Sequence, residues 1–542
     1  MRTSLRRPEA VGVRGMVASA HPVAALTGIN VLQRGGNAFD AAIAVAAVEG
    51  VVLPMMCGLG GDAFAILFDS KRNEVVAFNG SGAAASGATR EYYTSQGLTK
   101  MPMEGVHSVA VPGAIALYET IWKRYGSQPW AELWSPAVRL AQDGLAITEH
   151  VSQLIAEHSE LLLRYEHSAA QFLLNSRAPA SGDLWTAPNL ADSLTAIAKN
   201  GAETFYRGEL AEKLLSFLSR AGALFTADDF ARHQTIAYTP IATTYRGTTV
   251  YETAPPSQGF LVLQQLNILE GFDMVHLDPF GTDRIHAFVE INKLAFADLN
   301  RYAGDPIFIH SPLDQLISKE YARKRCSQID LGRAAELSEQ ALLKKEDGAS
   351  TSYFAVADSD GNAVSFIHSL ASYFGSGMVA GDTGITLNNR AGRGFRLELD
   401  HPNVIEPGKR PINTLNCYLL CRDGRPWVIG GTPGGDQQPQ WNVQTITNLL
   451  DHEMSLQEAV EAPRWFSVSG PDLVNRVRSF KVRLEQRFPE SVLRELARRG
   501  HFVETLGPWN SGGAVQLVQI DRPRGVLRGA SDPRAGGLAL GF

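Results

Sequence analysis

The chain has 542 residues and carries 50 Lys and Arg against 56 Asp and Glu, a formal net charge of −6 with neutral histidines. This balance excludes a nucleic-acid binder held by bulk positive charge. Hydrophobic residues make up 44% of the chain and charged residues 20%, which supports a packed core and excludes global disorder or a fibrous repeat. We therefore expect a soluble globular protein.

Neither the cysteines nor the apolar stretches indicate a secreted or membrane protein. The four cysteines include no Cys-x-x-Cys pair, so neither zinc nor redox spacing is present, and no metal is expected. The amino terminus is basic, but Pro8 and Glu9 stand where the apolar part of a signal segment would have to follow. The most apolar stretch, Ala38–Pro54, contains two acids and falls short of the ~20 residues needed to cross a bilayer. The sequence therefore predicts a cytoplasmic protein without a membrane partner.

The first half of the chain is mainly helical in pattern. Small and apolar residues over 22–50 predict two closely packed helices, divided by the Gly-Gly-Asn turn at 35–37. The alternating runs AFAILFD and EVVAFNG, joined at Ser70–Asn73, predict a strand hairpin. From about Pro112 to Asp330 helical spacing prevails, and one β-like segment over 243–259 interrupts it.

The character of the chain changes after a polar stretch, Ser338–Gly348, that is typical of an exposed connector. Thr351–Ala357 then predicts a strand, Asp358–Asn362 a turn and Ala363–Leu370 a second strand. A third candidate strand, Trp427–Gly430, leads into a Gly-Thr-Pro-Gly-Gly segment.

Thr351 stands where the connector meets the first buried-type strand, a position that suits an N-terminal nucleophile. The chain has no His-Glu-x-x-His, no Gly-x-Ser-x-Gly elbow and no Walker loop that would point to other chemistry. In N-terminal-nucleophile chemistry the hydroxyl attacks the carbonyl of the preceding residue, here Ser350, and the resulting ester hydrolyses to free a new amino terminus. The hydroxyl is then the nucleophile, and the new α-amine, with an ordinary pKa near ~7.7, is the base. From the local pattern alone, the alternative is an ordinary threonine that opens a strand.

Gly434 and Gly435 fit the same scheme. Glycine lets the backbone approach a substrate closely and aim N–H groups at a developing oxyanion. One such donor is typically worth ~3 to 4 kcal/mol of transition-state stabilisation. Taken alone, a glycine pair is more often a tight turn.

A series of motifs along nearly the whole chain resembles the γ-glutamyltranspeptidase family of N-terminal-nucleophile (Ntn) hydrolases. These motifs are Gly35–Ala42, Gly58–Gly61, Val111–Gly113, Pro255–Gly259, Gly304–Pro306, Thr351–Asp358, Phe374–Gly377, Leu387–Asn389, Lys409–Pro411, Pro433–Gly435 and Ser531–Arg534. The resemblance implies an α+β fold, a four-layer αββα sandwich of two stacked sheets between helical layers, made as one precursor. It also implies autocatalytic cleavage into a large subunit, residues 1–350, and a small subunit, residues 351–542, that together form one intertwined domain.

The resemblance also assigns roles to individual residues. Thr351 becomes the nucleophile, Ser369 the hydroxyl residue that contacts it eighteen positions later, and Gly434 and Gly435 the oxyanion hole. No metal and no organic cofactor are implied. The expected partners are a small acidic amide substrate and the two subunits of one precursor, and a dimer of heterodimers is left open.

The donor pocket departs from the family pattern. Asn79 lies in the segment where the family has an Arg for the donor's α-carboxylate. Arg390 and Arg393 stand in the segment where the family has an acid for the donor's amino group, and Asn413 and Thr414 replace its paired serines. A donor ammonium would meet guanidinium instead of carboxylate, which disfavours glutathione-like substrates in a partly desolvated pocket.

A small acyl donor with a carboxylate and no ammonium fits these residues better, because a guanidinium holds a carboxylate through two hydrogen bonds. Gly60–Asp62, Asn79–Gly82 and Asn413–Asn416 resemble the oxamate amidohydrolase branch of the family, so oxamate-like amides or dicarboxylic monoamides are the predicted substrates. Between Phe395 and Lys409 the chain is shorter than the lid of the bacterial transpeptidases, which favours hydrolysis over transfer to an acceptor.

Two alternatives stay open. One is a γ-glutamyl hydrolase or transpeptidase that acts on glutathione-like donors and binds the glutamyl group through residues other than those the family uses. The other belongs to a different class: a chain that stays uncleaved, is catalytically silent and only binds a small acid.

Overall fold

A computed structural model of the chain describes residues 7–335, 349–471 and 478–542. The polar connector predicted at Ser338–Gly348 lies outside the described residues. Within the described part of the chain, no helix combines the length and the apolar composition needed to cross a bilayer.

Most strands belong to two seven-stranded sheets. In chain order the strands are β1 (Ala10–Gly12), β2 (Gly15–Ser19), β3 (Asp62–Asp69), β4 (Glu74–Gly80), β5 (Leu145–Ala146), β6 (Leu184–Trp185), β7 (Ile236–Tyr238), β8 (Ile241–Tyr245), β9 (Thr248–Glu252), β10 (Ala349–Asp358), β11 (Ala363–Ser372), β12 (Tyr418–Arg422), β13 (Arg425–Gly431), β14 (Trp465–Pro471), β15 (Arg478–Glu485), β16 (Phe502–Leu506), β17 (Gln516–Asp521), β18 (Val526–Ser531) and β19 (Leu538–Gly541). The first sheet has the order β1-β18-β17-β13-β12-β9-β8, and the second has the order β19-β2-β10-β11-β3-β4-β7. The remaining strands form a three-stranded sheet, β14-β15-β16, and the pair β5-β6.

Helices cover the outer face of each large sheet. In chain order they are α1 (Pro22–Gln33), α2 (Ala38–Val52), α3 (Arg90–Ser95), α4 (Ala114–Tyr125), α5 (Trp130–Asp143), α6 (Glu149–Glu157), α7 (Ser159–Leu163), α8 (Glu166–Phe172), α9 (Pro188–Asn200), α10 (Glu203–Tyr206), α11 (Glu209–Arg220), α12 (Ala227–Ala231), α13 (Phe260–Leu269), α14 (Thr282–Tyr302), α15 (Leu313–Leu316), α16 (Lys319–Cys326), α17 (Arg390–Gly394), α18 (Gln438–Leu450), α19 (Leu456–Glu461) and α20 (Glu490–Arg498). Helices α13, α18 and α19 pack on the first sheet, and α1, α2 and α4 pack on the second. Helices α14 and α20 pack against the three-stranded sheet, and α5 and α9 form a further layer outside α2.

Side chains alternate along the strands between two kinds of core. In β10, Tyr353 and Ala355 pack in the layer between the two sheets, whereas Phe354 and Val356 pack against the helices. In β3, Phe64 likewise faces the space between the sheets. The layers therefore run helix, sheet, sheet, helix, which confirms the predicted αββα sandwich.

The helices and hairpins expected from the sequence are present. Asn37 caps α2, because its Oδ1 accepts hydrogen bonds from the backbone N–H groups of Phe39 and Asp40, each at 2.9 Å. Strands β3 and β4 pair antiparallel across the predicted turn, and so do β10 and β11. The predicted strand at Trp427–Gly430 lies within β13.

The turn between β10 and β11 is fastened to the helical layer. Asp358 accepts a hydrogen bond from the backbone N–H of Asn362 at 3.0 Å through Oδ1 and one from that of Ala38 at 2.8 Å through Oδ2. This anchors the closed end of the hairpin to the start of α2. The open end of the same hairpin carries Thr351 and Ser369.

Candidate active site

Thr351 lies near the start of β10, and only 2% of its surface is exposed. Its Oγ1 lies 2.6 Å from the carbonyl oxygen of Ser350 and 3.1 Å from Oγ of Ser369. The hydroxyl of Ser369 also donates a hydrogen bond to the carbonyl oxygen of Ser350. The carbonyl of the Ser350–Thr351 peptide bond is therefore approached by two hydroxyl groups.

An irregularity in the β10–β11 ladder surrounds Ser369. Between Ser350 and Ser352, two residues of β11 face one residue of β10, which is the signature of a β-bulge. Ala371 has a φ of 83°, a left-handed conformation that is uncommon for a residue with a side chain. Its backbone N–H donates to Ser369 Oγ at 2.8 Å, which fixes that oxygen beside Thr351.

Gly434 and Gly435 follow β13 and open a turn that packs beside β10. Their φ angles, 139° and 56°, lie in the region that favours glycine, and a Cβ on Gly434 would lie 2.2 Å from Cζ3 of Trp441. Nε2 of Gln258 donates to the carbonyl oxygens of Gly435 and Thr414, each at 2.8 Å. Gln258 therefore ties the glycine turn to the segment that carries Thr414.

Arg390, Asn413 and Thr414 come together around Asp62. Arg390 forms a two-pronged ion pair with this carboxylate, with Nε 2.9 Å from Oδ2 and Nη2 3.2 Å from Oδ1. Asn413 donates from Nδ2 to Oδ2 of Asp62 at 2.6 Å, and Nη1 of Arg390 lies 3.4 Å from Oγ1 of Thr414. The fork of Arg390 that was expected to hold a substrate carboxylate is therefore engaged by a carboxylate of the protein itself.

Arg393 lies on the same short helix as Arg390, α17, and is also buried. Its Nη1 donates to the carbonyl oxygen of Ala371 at 2.6 Å, next to the bulge in β11. Burial lowers the pKa of Arg393, and the negative charge of Asp436 opposes this shift. Asp436 directly follows Gly435, so the charge that acts on Arg393 belongs to the glycine turn.

Asn79 lies near the end of β4, and its side chain stabilises the turn that follows this strand. Its Oδ1 accepts hydrogen bonds from the backbone N–H of Ser81 at 2.8 Å and from the Ser81 hydroxyl at 2.6 Å. Among the described hydrogen bonds, none joins Asn79 to Asp62 or Arg390. Asn79 stands opposite Phe64 in the β3–β4 ladder, two residues along β3 from Asp62, so it lies near the cluster without a described hydrogen bond to it.

His368 precedes Ser369 and lies in a buried polar network behind β11. Its Nε2 lies 2.8 Å from Oε2 of Glu49 and its Nδ1 lies 2.8 Å from the hydroxyl oxygen of Tyr118. Donor atoms of Glu49, Cys57 and His368 all lie within 4.8 Å of one another, close enough to hold a metal ion. The Nε2 of His368 and the Oε2 of Glu49 already form a hydrogen bond with each other. We therefore interpret the group as a structural support of β11.

A second such group joins α14 to the loop before β16. It consists of His286, Glu290 and His501, whose donor atoms also lie within 4.8 Å of one another. Nδ1 of His286 lies 2.7 Å from Nε2 of His501, and Lys293 donates to Glu290 at 2.7 Å. The Lys293 ammonium already supplies a positive charge to this carboxylate.

This arrangement suits acyl transfer to a hydroxyl. An attack of Thr351 Oγ1 on the carbonyl carbon of Ser350 would place negative charge on the Ser350 oxygen. The Ser369 hydroxyl already donates to that oxygen and can stabilise the charge as it forms. The Ser369 oxygen, 3.1 Å from Thr351 Oγ1, is also placed to receive the attacking hydroxyl's proton.

Comparisons with known proteins agree with the fold and with the motifs. The family model described as gamma-glutamyltranspeptidase matches residues 24–542. The chain is 38% identical to the glutathione hydrolase-like YwrD proenzyme of Bacillus subtilis, over 98% of this chain and 99% of the relative. It is 32% identical to the oxamate amidohydrolase proenzyme of Klebsiella pneumoniae, over 98% of this chain and 99% of that relative.

A solved structure gives the same result for the fold. The cephalosporin acylase from Bacillus halodurans superposes with a TM-score of 0.92 at 35% identity, covering 100% of this chain and 98% of the acylase. The sandwich and the hydroxyl cluster at its open end define an enzyme with the Ntn-hydrolase fold. The chain belongs to the gamma-glutamyltranspeptidase family.

Sequence reasoning did not assign a role to two residues of this cluster. Asp62 stood in a motif, Gly60–Asp62, but nothing in the sequence indicated that it pairs with Arg390. Gln258 stood in the Pro255–Gly259 motif without a role. The signal that could have found Asp62 is its position as a lone acid after a glycine pair at the start of a buried strand, where a charge needs a partner.

Proposed function

We propose that this protein is a self-processing N-terminal threonine amidohydrolase. The observation that carries the proposal is the position of Thr351 Oγ1, 2.6 Å from the Ser350 carbonyl oxygen and beside the Ser369 hydroxyl. Cleavage at this bond makes residues 1–350 the large subunit and residues 351–542 the small one. A cytoplasmic location and a dimer of heterodimers stay predictions from the sequence.

Self-processing takes two steps. Thr351 Oγ1 bonds to the carbonyl carbon of Ser350 while the C–N bond breaks, and the hydroxyl proton passes to the departing nitrogen, which becomes the α-amine of Thr351. Water then hydrolyses the ester, which leaves a carboxylate on Ser350 and returns the hydroxyl to Thr351. The freed α-amine is the base that the mature enzyme needs.

Turnover repeats the same chemistry on a substrate amide. The Thr351 hydroxyl attacks the amide carbonyl, its amine takes the proton and passes it to the leaving amine, and backbone N–H groups of Gly434 and Gly435 stabilise the oxyanion. Water releases the acyl group from the ester. Gln258 donates to the Gly435 carbonyl oxygen and so holds the turn that carries these two N–H groups.

The substrate that we propose is a small amide whose acyl part ends in a carboxylate and carries no ammonium, such as oxamate or a glutaryl amide. Arg390 and Arg393 bring positive charge to the open end of the hairpin, and Nη1 of Arg390 faces the half-buried Thr414. A carboxylate at Thr414 would meet this guanidinium edge. The similarity to the oxamate amidohydrolase and cephalosporin acylase relatives supports the same class.

A second candidate, a γ-glutamyl hydrolase, is favoured by one observation. Asp62 places a carboxylate against Arg390, so the cluster holds both charges that the ammonium and carboxylate of a γ-glutamyl group require. The relatives named glutathione hydrolase are in line with it.

Steady-state hydrolysis separates these candidates. We expect a higher kcat/KM for oxamate or a glutaryl anilide than for a γ-glutamyl anilide. The Thr351→Ala variant is the control, because it lacks the nucleophile and should neither cleave itself nor turn over any of these substrates. A clear preference for the γ-glutamyl anilide would replace the first candidate by the second, and turnover by the Ala variant would overturn both.

A further inference from the structure

We infer that the ion pair between Asp62 and Arg390 sets which acyl donors the site accepts. The inference rests on the proposed function, because it concerns the charge that the donor presents to Thr351. Asp62 is assigned as the residue that offsets the guanidinium, so that neither charge alone dominates the donor pocket. Both residues are specificity-determining in this assignment, and neither takes part in bond making.

The pair is buried and geometrically complete. Asp62 and Arg390 are each 1% exposed, and their two contacts, at 2.9 and 3.2 Å, use both carboxylate oxygens and two guanidinium nitrogens. Asn413 adds a third donor to Asp62 at 2.6 Å. In an environment that excludes water, an excess charge here would act strongly on a neighbouring charged group.

The pair also lies beside the nucleophile. Asp62 opens β3 and stands directly across from Ser369 in the β3–β11 ladder, where paired Cα atoms are typically about 4.5 to 5.5 Å apart. Ser369 in turn contacts Thr351 Oγ1 at 3.1 Å. On its other side, Arg390 reaches towards Thr414, which is half-buried. The pair therefore lies between Ser369, which contacts Thr351, and the partly accessible Thr414.

Stability alone does not account for this pair. Replacing a buried ion pair by well-packed apolar residues is often neutral or stabilising, so burial of two charges needs another reason. The backbone around them has separate support: the N–H of Arg390 donates to Asn388 Oδ1 at 3.0 Å, and the N–H of Leu415 donates to Asn413 Oδ1 at 3.0 Å. The side-chain charges are therefore available for a role in donor selection.

Single substitutions should shift donor preference in opposite directions. Asp62→Asn leaves the guanidinium without its counter-charge, which favours donors that carry a carboxylate but no ammonium group. Arg390→Gln leaves the carboxylate without its counter-charge, which favours donors that also carry an ammonium. The double variant removes both charges and should return the preference towards that of the unchanged enzyme.

Three anilides with one leaving group measure this directly: glutaryl, γ-glutamyl and butyryl p-nitroanilide. The first two differ only by the ammonium, and the third lacks the carboxylate. We expect the ratio of kcat/KM for the glutaryl over the γ-glutamyl compound to rise about tenfold in Asp62→Asn and to fall about tenfold in Arg390→Gln. In the double variant the ratio should lie within about threefold of the unchanged enzyme.

The matched control is Asp451→Asn. Asp451 is also a buried carboxylate paired with a guanidinium, since Arg246 Nε lies 3.0 Å from its Oδ1, but it caps the far end of α18. This variant should leave the ratio unchanged. If Arg390→Gln fails to fold, Asp62→Asn and the double variant still decide, because only the former should raise the ratio.

The outcomes separate the two claims. Equal or same-direction shifts in the two single variants, in an enzyme that hydrolyses the anilides, overturn the inference and leave the proposed function standing. An unchanged enzyme that processes itself but hydrolyses none of the three anilides overturns the inference, and the proposed substrate class falls with it if oxamate is not hydrolysed either. Opposite shifts support both.

Discussion

In the proposed mechanism, Thr351 needs a different proton acceptor before and after cleavage. In the continuous chain its nitrogen belongs to a peptide bond, so it cannot act as a base. The nearest side-chain oxygen is Ser369 Oγ, 3.1 Å from the Thr351 hydroxyl, and that side chain also donates to the Ser350 carbonyl oxygen. After cleavage the α-amine itself takes over, with an ordinary pKa near ~7.7. Ser369 should therefore matter more for maturation than for turnover.

Replacing Ser369 tests this division. We expect Ser369→Ala to slow self-cleavage about 100-fold, because it removes the hydroxyl that stabilises the developing charge on the Ser350 oxygen. A gel time course of the freshly made chain measures cleavage, and kcat per cleaved enzyme measures turnover. Ser369→Thr, which keeps the hydroxyl, is the control and should retain most of the rate. Cleavage of the Ala variant at the unchanged rate would contradict the role.

Two site residues were singled out by the family resemblance. The local pattern left Thr351 open between a nucleophile and an ordinary strand-opening residue, and Ser369 was chosen by its spacing to Thr351 in the family; the fold brings their hydroxyl oxygens to 3.1 Å. Asp62 was not predictable as the partner of Arg390, because the two lie 328 positions apart and the carboxylate's charge is compensated only in the folded chain. Asn79 was chosen by its position in a motif, and the local pattern did not show that its Oδ1 accepts a hydrogen bond from the Ser81 hydroxyl.

The turn after β13 is an element whose geometry depends on glycine. A Cβ at Gly434 would lie 2.2 Å from Trp441, and the ring cannot withdraw freely because Gly512 and Gly513 pack against it. The φ of 139° at Gly434 is also one that residues with side chains rarely adopt. Any residue other than glycine must therefore displace the turn.

Gly434→Ala should consequently lower kcat about 100-fold, as expected when an oxyanion donor is moved. The control is Gly424→Ala in the turn between β12 and β13, where φ is 70° and no atom lies within 4 Å of the added Cβ. That change should cost only about 1 kcal/mol of the free energy of unfolding. Steady-state kinetics and thermal unfolding measure the two effects. Equal kcat in both variants would show that the turn does not hold the oxyanion donors.

Elements with strong periodicity were predicted well. The strands of the hairpins β3–β4 and β10–β11 are rich in strand-forming apolar residues and are joined by polar turns, and α1 and α2 are divided by a clear turn signal. The short helix α17 was not expected, because its sequence, Arg-Ala-Gly-Arg-Gly, has poor helix propensity. It is held by tertiary contacts instead, among them the hydrogen bond from Arg393 Nη1 to the carbonyl oxygen of Ala371.

At the level of the whole molecule, the two parts of the proposed precursor are interleaved. In the second sheet β10 and β11 lie between β2 and β3, and in the first sheet β12 lies beside β9. Cutting the chain at Ser350 would therefore leave two fragments that share both sheets. The layer order was implied by the family resemblance, whereas neither the strand order nor the third sheet was derivable from local patterns, since both depend on pairing between distant segments.

Buried neutral histidines make the folded protein sensitive to acid. Burial is the main cause that lowers the pKa of His21 to about 4 and the pKa values of His233 and His501 to about 3. The unfolded chain binds protons at these groups near pH ~6.5. Their contribution to stability is therefore complete above about pH 6.5 and is lost as the pH falls towards 4 and 3.

We expect the free energy of unfolding to fall between pH 7 and pH 5, by up to about 2 kcal/mol for each such histidine. In His501→Gln the pH dependence should be shallower, and in the control His310→Gln, at an exposed site, it should be unchanged. Urea denaturation at the two pH values measures this. A free energy of unfolding that does not change with pH would contradict the assignment of neutral buried histidines.

We propose that Thr351 cuts its own bond to Ser350, and amino-terminal sequencing of the purified mature protein is the decisive measurement. We expect two fragments, one of which begins Thr-Ser-Tyr-Phe, and a Thr351→Ala variant that stays full length. A single uncleaved chain after prolonged incubation, or a new amino terminus at any other residue, would contradict it.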